Sequence, residues 1–486
     1  MTAALTSHSK LVGESPSLPA AWTRTTLGEV AEFIMGQAPA GSDCNTEGKG
    51  AIFVKAGEFG VTFPVVREWT THPLKFSQDG DVLICVVGAT CGKLNLAINS
   101  AIGRSVAAIR PCNGLGTKFL YLQMQPKVLE LRASSTGSAQ GVLTRGDLGK
   151  IDFVVPPLPE QRLIVAEIEK QFTRLDAGVS ALRRVQANLK RYRAAVLKAA
   201  CEGKLVPTEA ELAKSRNSKS EARNKFETGE QLLQRILKQR REKWAGKGKY
   251  KEPAAPDATG LPKLPEGWCW ATAEQLSDES RAITYGVIKL GEDVPDGIPT
   301  LRSSDVRHLR LDLEGVKCIS PKIAGNYRRT FLEGGEILVT VRGTLGGVVV
   351  APKACKGFNV SREVAMIALV ESSVAANVAI FIGSIPVQNW LLQRTRGIAY
   401  TGINIATLKA LPVPLPPLAE QERIVAEVER RLSVVEELSA LVTANLQRAT
   451  RLRQSILQRA FEGKLVQQEA APSGISHTTT QRRRAL

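Results

Sequence analysis

Acidic residues are in short supply: 47 Asp and Glu stand against 65 Lys and Arg, a net charge of +18. A deficit of that size points to a polyanionic partner, most often nucleic acid. Histidine is scarcer still. The four present, His8, His72, His308 and His477, are too widely spread to compose a metal site. The eight cysteines contain no C-x-x-C pair and read as reduced thiols. No apolar run reaches the ~18 residues that a membrane-spanning helix needs. Residues 1–17 lack the apolar core of a secretory signal, which predicts a cytoplasmic protein.

Catalytic constellations are missing as well. The stretch Gly88–Leu94, GATCGKL, has one residue too few between its glycines for a phosphate-binding loop, and Leu94 stands where a hydroxyl is needed. The turn RGTLGG at 342–347 joins two predicted strands instead of leading a strand into a helix, so it makes a poor dinucleotide loop. The chain holds no Asp/Asn-Pro-Pro-aromatic run for a target amine. Nor does a carboxylate cluster with a following Glu-x-Lys suggest a nuclease centre. These absences favour a binding protein over an enzyme, with no metal or cofactor of its own.

What is present is a repeat. Residues 156–206 begin PPLPEQRLIVAEIEK and end EGKLV, and residues 416–466 begin PPLAEQERIVAEVER and end EGKLV. The two copies run in register at an offset of 260, with 19 of 51 positions identical. Each opens on proline and an acidic residue, which suit a helix start, and closes on Gly203 or Gly463, which suits a helix end. Between these ends apolar residues step by three and four. The seam reads Ile168, Phe172, Leu175, Val179, Leu182, Val185, Leu189, Tyr192 and Val196 in the first copy. The second has Val428, Leu432, Val435, Val442, Leu452, Ile456 and Ala460, broken by Ser439 and Asn445. A helix of ~40 residues is ~60 Å long and cannot leave such a seam wet, so each predicts a long partner. The chain supplies one in its other copy.

The opening Leu18-Pro19-Ala20-Ala21-Trp22 also returns, as Leu264-Pro265-Glu266-Gly267-Trp268. Each half is therefore a globular segment followed by a long helix, an α+β pattern with strands first and helices after. Predicted in the first half are a short helix at 27–34 and strands at 51–57, 60–66, 81–90, 94–99 and 106–111, then a helix at 117–133. In the second half strands fall at 298–306, 336–344, 347–352 and 364–370, with a helix at 378–395. Between the halves, 207–262 reads as a basic linker carrying one amphipathic helix at 229–244, equally suited to a solvated connector or to phosphate contact. Residues 1–17 and 467–486 read as disordered.

These residues resemble the specificity subunit of type I restriction–modification systems. The resemblance rests on the twin PPL-x-EQ-x-x-IVAE openings, the EGKLV endings, LPEGWCWATAEQL after an EPAAPD linker, and the basic LLQRILKQRREKW between the halves. It covers residues 18–466. It implies two α/β target-recognition domains, 18–155 and 263–415, separated by two long antiparallel helices, 156–206 and 416–466, that form a coiled coil with pseudo-twofold symmetry. Each domain then reads one half of an interrupted duplex DNA site. The helices carry two modification subunits, N6-adenine methyltransferases that use S-adenosylmethionine. Restriction subunits supply translocation driven by ATP with Mg2+. The chain itself catalyses nothing. A freestanding sequence-specific DNA-binding protein without partner subunits is the alternative, and a self-contained methyltransferase is opposed by the missing cofactor loop.

Base edges are read by Arg or Lys on guanine and Asn or Gln on adenine. Candidates beside predicted turns are Lys55, Lys93, Arg104 and Gln140 in the first half, and Arg302, Arg342, Arg362 and Tyr400 in the second. Candidates for the coiled coil and subunit docking are Ile168, Phe172, Leu175, Leu182, Leu189, Val428, Leu432, Val435, Leu452 and Ile456.

Overall fold

The computed structural model of the chain describes residues 18–135, 142–216, 226–246, 249–257, 259–395 and 402–466. The ends expected to be disordered, 1–17 and 467–486, lie outside them, as do Gln140 and Tyr400. The chain divides into two compact units, Met1–Arg183 with Thr443–Leu486, and Arg184–Val442. The long helices, Leu158–Cys201 and Leu418–Phe461, each give one stretch to each unit.

The first unit centres on an antiparallel sheet ordered Ala31–Met35, Val106–Pro111, Val82–Cys85, Leu94–Leu96. All four residues of Val82–Cys85 are buried because both faces of the sheet are covered. Val82 and Ile84 join Phe119 and Leu120 of the helix Thr117–Ser135 in one core cluster. Leu83 and Cys85 join Val54 and Ile102 of a second, mixed sheet. That alternation is the period of two that a strand imposes. The second unit repeats the plan with Thr284–Tyr285, Val364–Ile367, Ile337–Thr340 and Val348–Val350. There Ile337 and Val339 pack with Val378 and Ile382, while Leu338 packs with Leu301 and Val360.

Besides the strand expected at 298–306, which breaks into Ile298–Leu301 and Val306–Arg307, four predicted elements differ. The helix expected at 27–34 stops at Val30, and Ala31–Met35 pairs as a strand with Val106–Pro111. The strand expected at 60–66 is a turn with one bridge, between Phe59 and Pro64, and it leaves Val61 95% exposed. Proline has no N–H for a ladder. The helix expected at 378–395 is two, Ala375–Gly383 and Ile385–Gln393, bent by 70°. Pro386 cannot donate to the carbonyl of Ile382, and the Gln388 side chain donates to it instead at 2.6 Å. Among the described residues no single helix is long and apolar enough to cross a membrane. Fourth, the helix Gly229–Glu242 is no mere connector: Leu232, Leu233 and Ile236 are buried in the core of the second unit.

The repeated ends of the long helices have matching anchors. The Trp22 indole donates to Glu160 at 2.9 Å, and the Trp268 indole donates to Glu420 at 2.9 Å. Gln161 donates to the Pro156 carbonyl at 2.9 Å, and Gln421 to that of Pro416 at 2.8 Å. The Glu thus ties each helix to the Trp that opens its module, and the Gln holds the proline turn at the helix start. Gly203 and Gly463 close their helices with φ of 65° and 72°, the left-handed conformation that suits glycine.

Along both helices the buried face runs one step away from the predicted seam in places. In the second unit Val196, Leu197 and Ala200 pack with Ile424, Val428 and Leu432. Arg193 meets Glu436 at 3.5 Å, so the stretches run antiparallel there. In the first unit Ile168 packs in one cluster with Ile456, and the Arg453 guanidinium stacks over Phe172 at 4.1 Å while pairing with Asp176. Val435 is buried, and Leu175, Leu182 and Leu189 are half-buried along the same face. Leu452, however, is 48% exposed, as are Tyr192 at 46% and Val185 at 43%. The face instead takes Gln186, Arg193 and Arg453, which a purely apolar periodicity passes over. Long arginine stems cover apolar surface while the head finds a carboxylate.

Candidate nucleic-acid interface

In each module several strands end together, and their hydrogen bonds make the two ends equivalent. Ala51–Val54 runs parallel to Ser100–Ile102, and the Gly103 N–H donates to the Val54 carbonyl at 2.9 Å. Ile298–Leu301 runs parallel to Asn359–Val360, and the Ser361 N–H donates to the Leu301 carbonyl at 2.8 Å. Lys55 and Arg104 therefore emerge side by side in module one, and Arg302 and Arg362 do the same in module two. A further strand ends at the same edge. The Val86 N–H donates to the Ser105 carbonyl at 2.9 Å, and the Val341 N–H donates to that of Glu363 at 2.8 Å. Arg342 follows directly.

The six cations are not alike. Arg104, Arg342 and Arg362 have exposed side chains. Lys55 is paired with Glu68, and the hydrogen bond its ammonium donates to that carboxylate holds it above the ordinary lysine range. Arg302 donates to Asp305 from Nε and from a terminal nitrogen, both at 3.2 Å. The backbone N–H groups of these two residues are capped alike, Lys55 by Glu58 and Arg302 by Asp305, each at 2.8 Å. Lys93 serves another end: its ammonium donates to the Phe59 carbonyl at 2.6 Å and pins the exposed turn after Ala51–Val54. Gln140 and Tyr400 lie outside the described residues.

Sequence reasoning missed Tyr285 and Glu363. The Arg342 guanidinium lies over the Tyr285 ring at 5.8 Å, and that ring is 39% exposed. Glu363 accepts from the Ser303 N–H at 3.1 Å and from its hydroxyl at 2.7 Å. Tyr285 sits in a strand of two residues, too short for any periodicity to announce. The edge thus combines exposed arginines, an exposed ring and a carboxylate on a rigid backbone. Exposed guanidinium groups can meet phosphate oxygens or guanine, and a carboxylate can accept from an exocyclic amine.

Comparison with known proteins bears on the family and the fold. The family described as "Type I restriction modification DNA specificity domain" matches residues 19–180 and 291–445. The specificity subunit of the Escherichia coli enzyme EcoBI is 27% identical over 72% of this chain and 66% of its own length. That of the E. coli enzyme EcoDI is 23% identical over 93% of this chain and 90% of its own. A chain from a solved structure, described as the basis of complex assembly and conformational transition of the type I R-M system, shares the fold with a TM-score of 0.60. It is 20% identical and covers 92% of this chain and 99% of its own length. Matched in both halves and across most of its length, the chain belongs to the family of type I restriction–modification specificity subunits.

Proposed function

We propose that this chain directs a modification and restriction complex to DNA without catalysing either reaction. Each module reads one half of an interrupted duplex site, and the long helices dock two N6-adenine methyltransferase subunits and, through the complex, the restriction subunits. S-adenosylmethionine, ATP and Mg2+ belong to those partners. The observation that carries this reading is the duplicated frame with diverged contents. Both modules tie the same Trp to the Glu of the same Glu-Gln pair, and both place basic residues at the same strand ends. Two like bodies on one chain meet DNA at two patches, and unlike contents make those patches read different sequences.

Footprinting of the chain assembled with its modification subunits tests the arrangement. Two protected patches with an unprotected gap are expected. One continuous patch, or protection that appears on any sequence equally, would contradict it.

A further inference from the structure

The hydrogen-bond frame makes individual positions equivalent where no residue identity survives. Ala107 lies between Met35 and Ile84, and Ala365 lies between Tyr285 and Val339, so Met35 corresponds to Tyr285. Val86 and Val341 make the same backbone bonds, so Val87 corresponds to Arg342 and Ser105 to Glu363. Even a side-chain bond is kept. The Ala56 N–H donates to the Ser105 hydroxyl at 3.2 Å, where the Ser303 N–H donates to the Glu363 carboxylate at 3.1 Å.

Where the frame makes a demand, both modules meet it in the same way. A side chain at Gly36 would sit 2.2 Å from the Gly103 carbonyl, and one at Gly286 would sit 1.8 Å from that of Val360. Arg104 and Arg362 are likewise the same residue at one equivalent position. At three neighbouring positions the chemistry changes outright: a thioether, an aliphatic group and a hydroxyl in module one, a phenol, a guanidinium and a carboxylate in module two. The backbone bonds of Val86 and Val341 are the same, yet Met35 and Val87 lie half-buried against the core of module one, while Tyr285 and Arg342 are exposed and meet each other at 5.8 Å.

We propose that these three positions determine what each module reads on duplex DNA: Met35, Val87 and Ser105 in one, Tyr285, Arg342 and Glu363 in the other. Arg104 and Arg362 contact phosphate instead. This assignment rests on the reading of the chain as a DNA-specificity subunit. Arginine bonds two acceptors of guanine, and glutamate accepts from the cytosine amine, so both charged groups of module two call for G·C pairs. The Tyr285 ring under the guanidinium orients it before DNA arrives. Module one offers apolar groups, which suit the thymine methyl, and a hydroxyl that accepts either partner.

The test uses the full chain assembled with its modification subunits, with methylated positions mapped by sequencing of plasmid DNA. Arg342→Gln and Glu363→Gln should each relax one G·C pair in one half-site by roughly tenfold to a hundredfold and leave the other half-site unchanged. Glu363→Gln keeps a carbonyl oxygen for Ser303, so the turn should stay folded. Arg362→Gln should weaken binding evenly across sequences and lower the salt slope by about one. Active Arg342→Gln and Glu363→Gln complexes that keep the wild-type half-sites, or that lose affinity evenly, would overturn the assignment. A wild-type complex without sequence preference would instead strike the specificity reading itself.

Discussion

Two residues one repeat apart show how the same bond differs with its surroundings. Glu420 is buried and accepts from the Trp268 indole at 2.9 Å and from the Glu209 N–H at 3.0 Å, while the Trp22 bond to Glu160 is only part-buried. An unsatisfied buried donor costs about 1–3 kcal/mol, against about 0.5–1.5 kcal/mol for a typical bond. Glu420→Ala should therefore destabilise more than Glu160→Ala in urea titrations, and equal losses would contradict the difference in burial. Glu427 makes a pH prediction. Hydrogen bonds from Arg430 and then Arg431 hold its carboxyl down at about 2, below the ordinary 4.5. A lowered folded value adds stability above the unfolded value and loses it as pH falls through the folded one. The advantage in Tm of wild type over Glu427→Gln should be steady above pH 4.5 and shrink as pH falls towards 2. An advantage that stays constant on acidification would refute the pairing.

At the scale of elements, the long helices were largely legible and their inner face only in part. Proline, Glu-Gln and the closing glycine predict the span of Leu158–Cys201 and Leu418–Phe461 closely, because helix ends depend on local chemistry. Which residue turns inward depends on the partner, and Arg193 and Arg453 took places that apolar counting assigned to Tyr192 and Leu452. Stability can separate the two. Ile456 is 6% exposed and Leu452 is 48% exposed. Ile456→Ala should cost about 2–4 kcal/mol, while Leu452→Ser should stay within about 0.5 kcal/mol. A larger loss at Leu452 would restore it to the seam. The candidate site was less legible than the helices. Strands of two to four residues such as Thr284–Tyr285 and Asn359–Val360 carry no usable periodicity, and their partners are far away in sequence. Pairs such as Ser105 and Glu363 can be matched only through the bonds they make. Lys93 shows the converse, a cation well placed in sequence whose ammonium is turned to a backbone carbonyl.

For the whole molecule, the central claim is that two modules of one design read two half-sites independently. Each module has its own sheet and capped strand ends, and it meets the long helices through the repeated Trp anchor, Trp22 to Glu160 and Trp268 to Glu420, so the contents of one should be exchangeable wherever that anchor is kept. The direct measurement replaces residues 18–155 with the first module of another specificity subunit. The complex is then assembled with the modification subunits, and every methylated adenine is located by sequencing. One half of the recognised site should change to that of the donor, while the other half keeps its wild-type sequence. A folded, active chimera in which both halves change together, or neither does, would contradict the account.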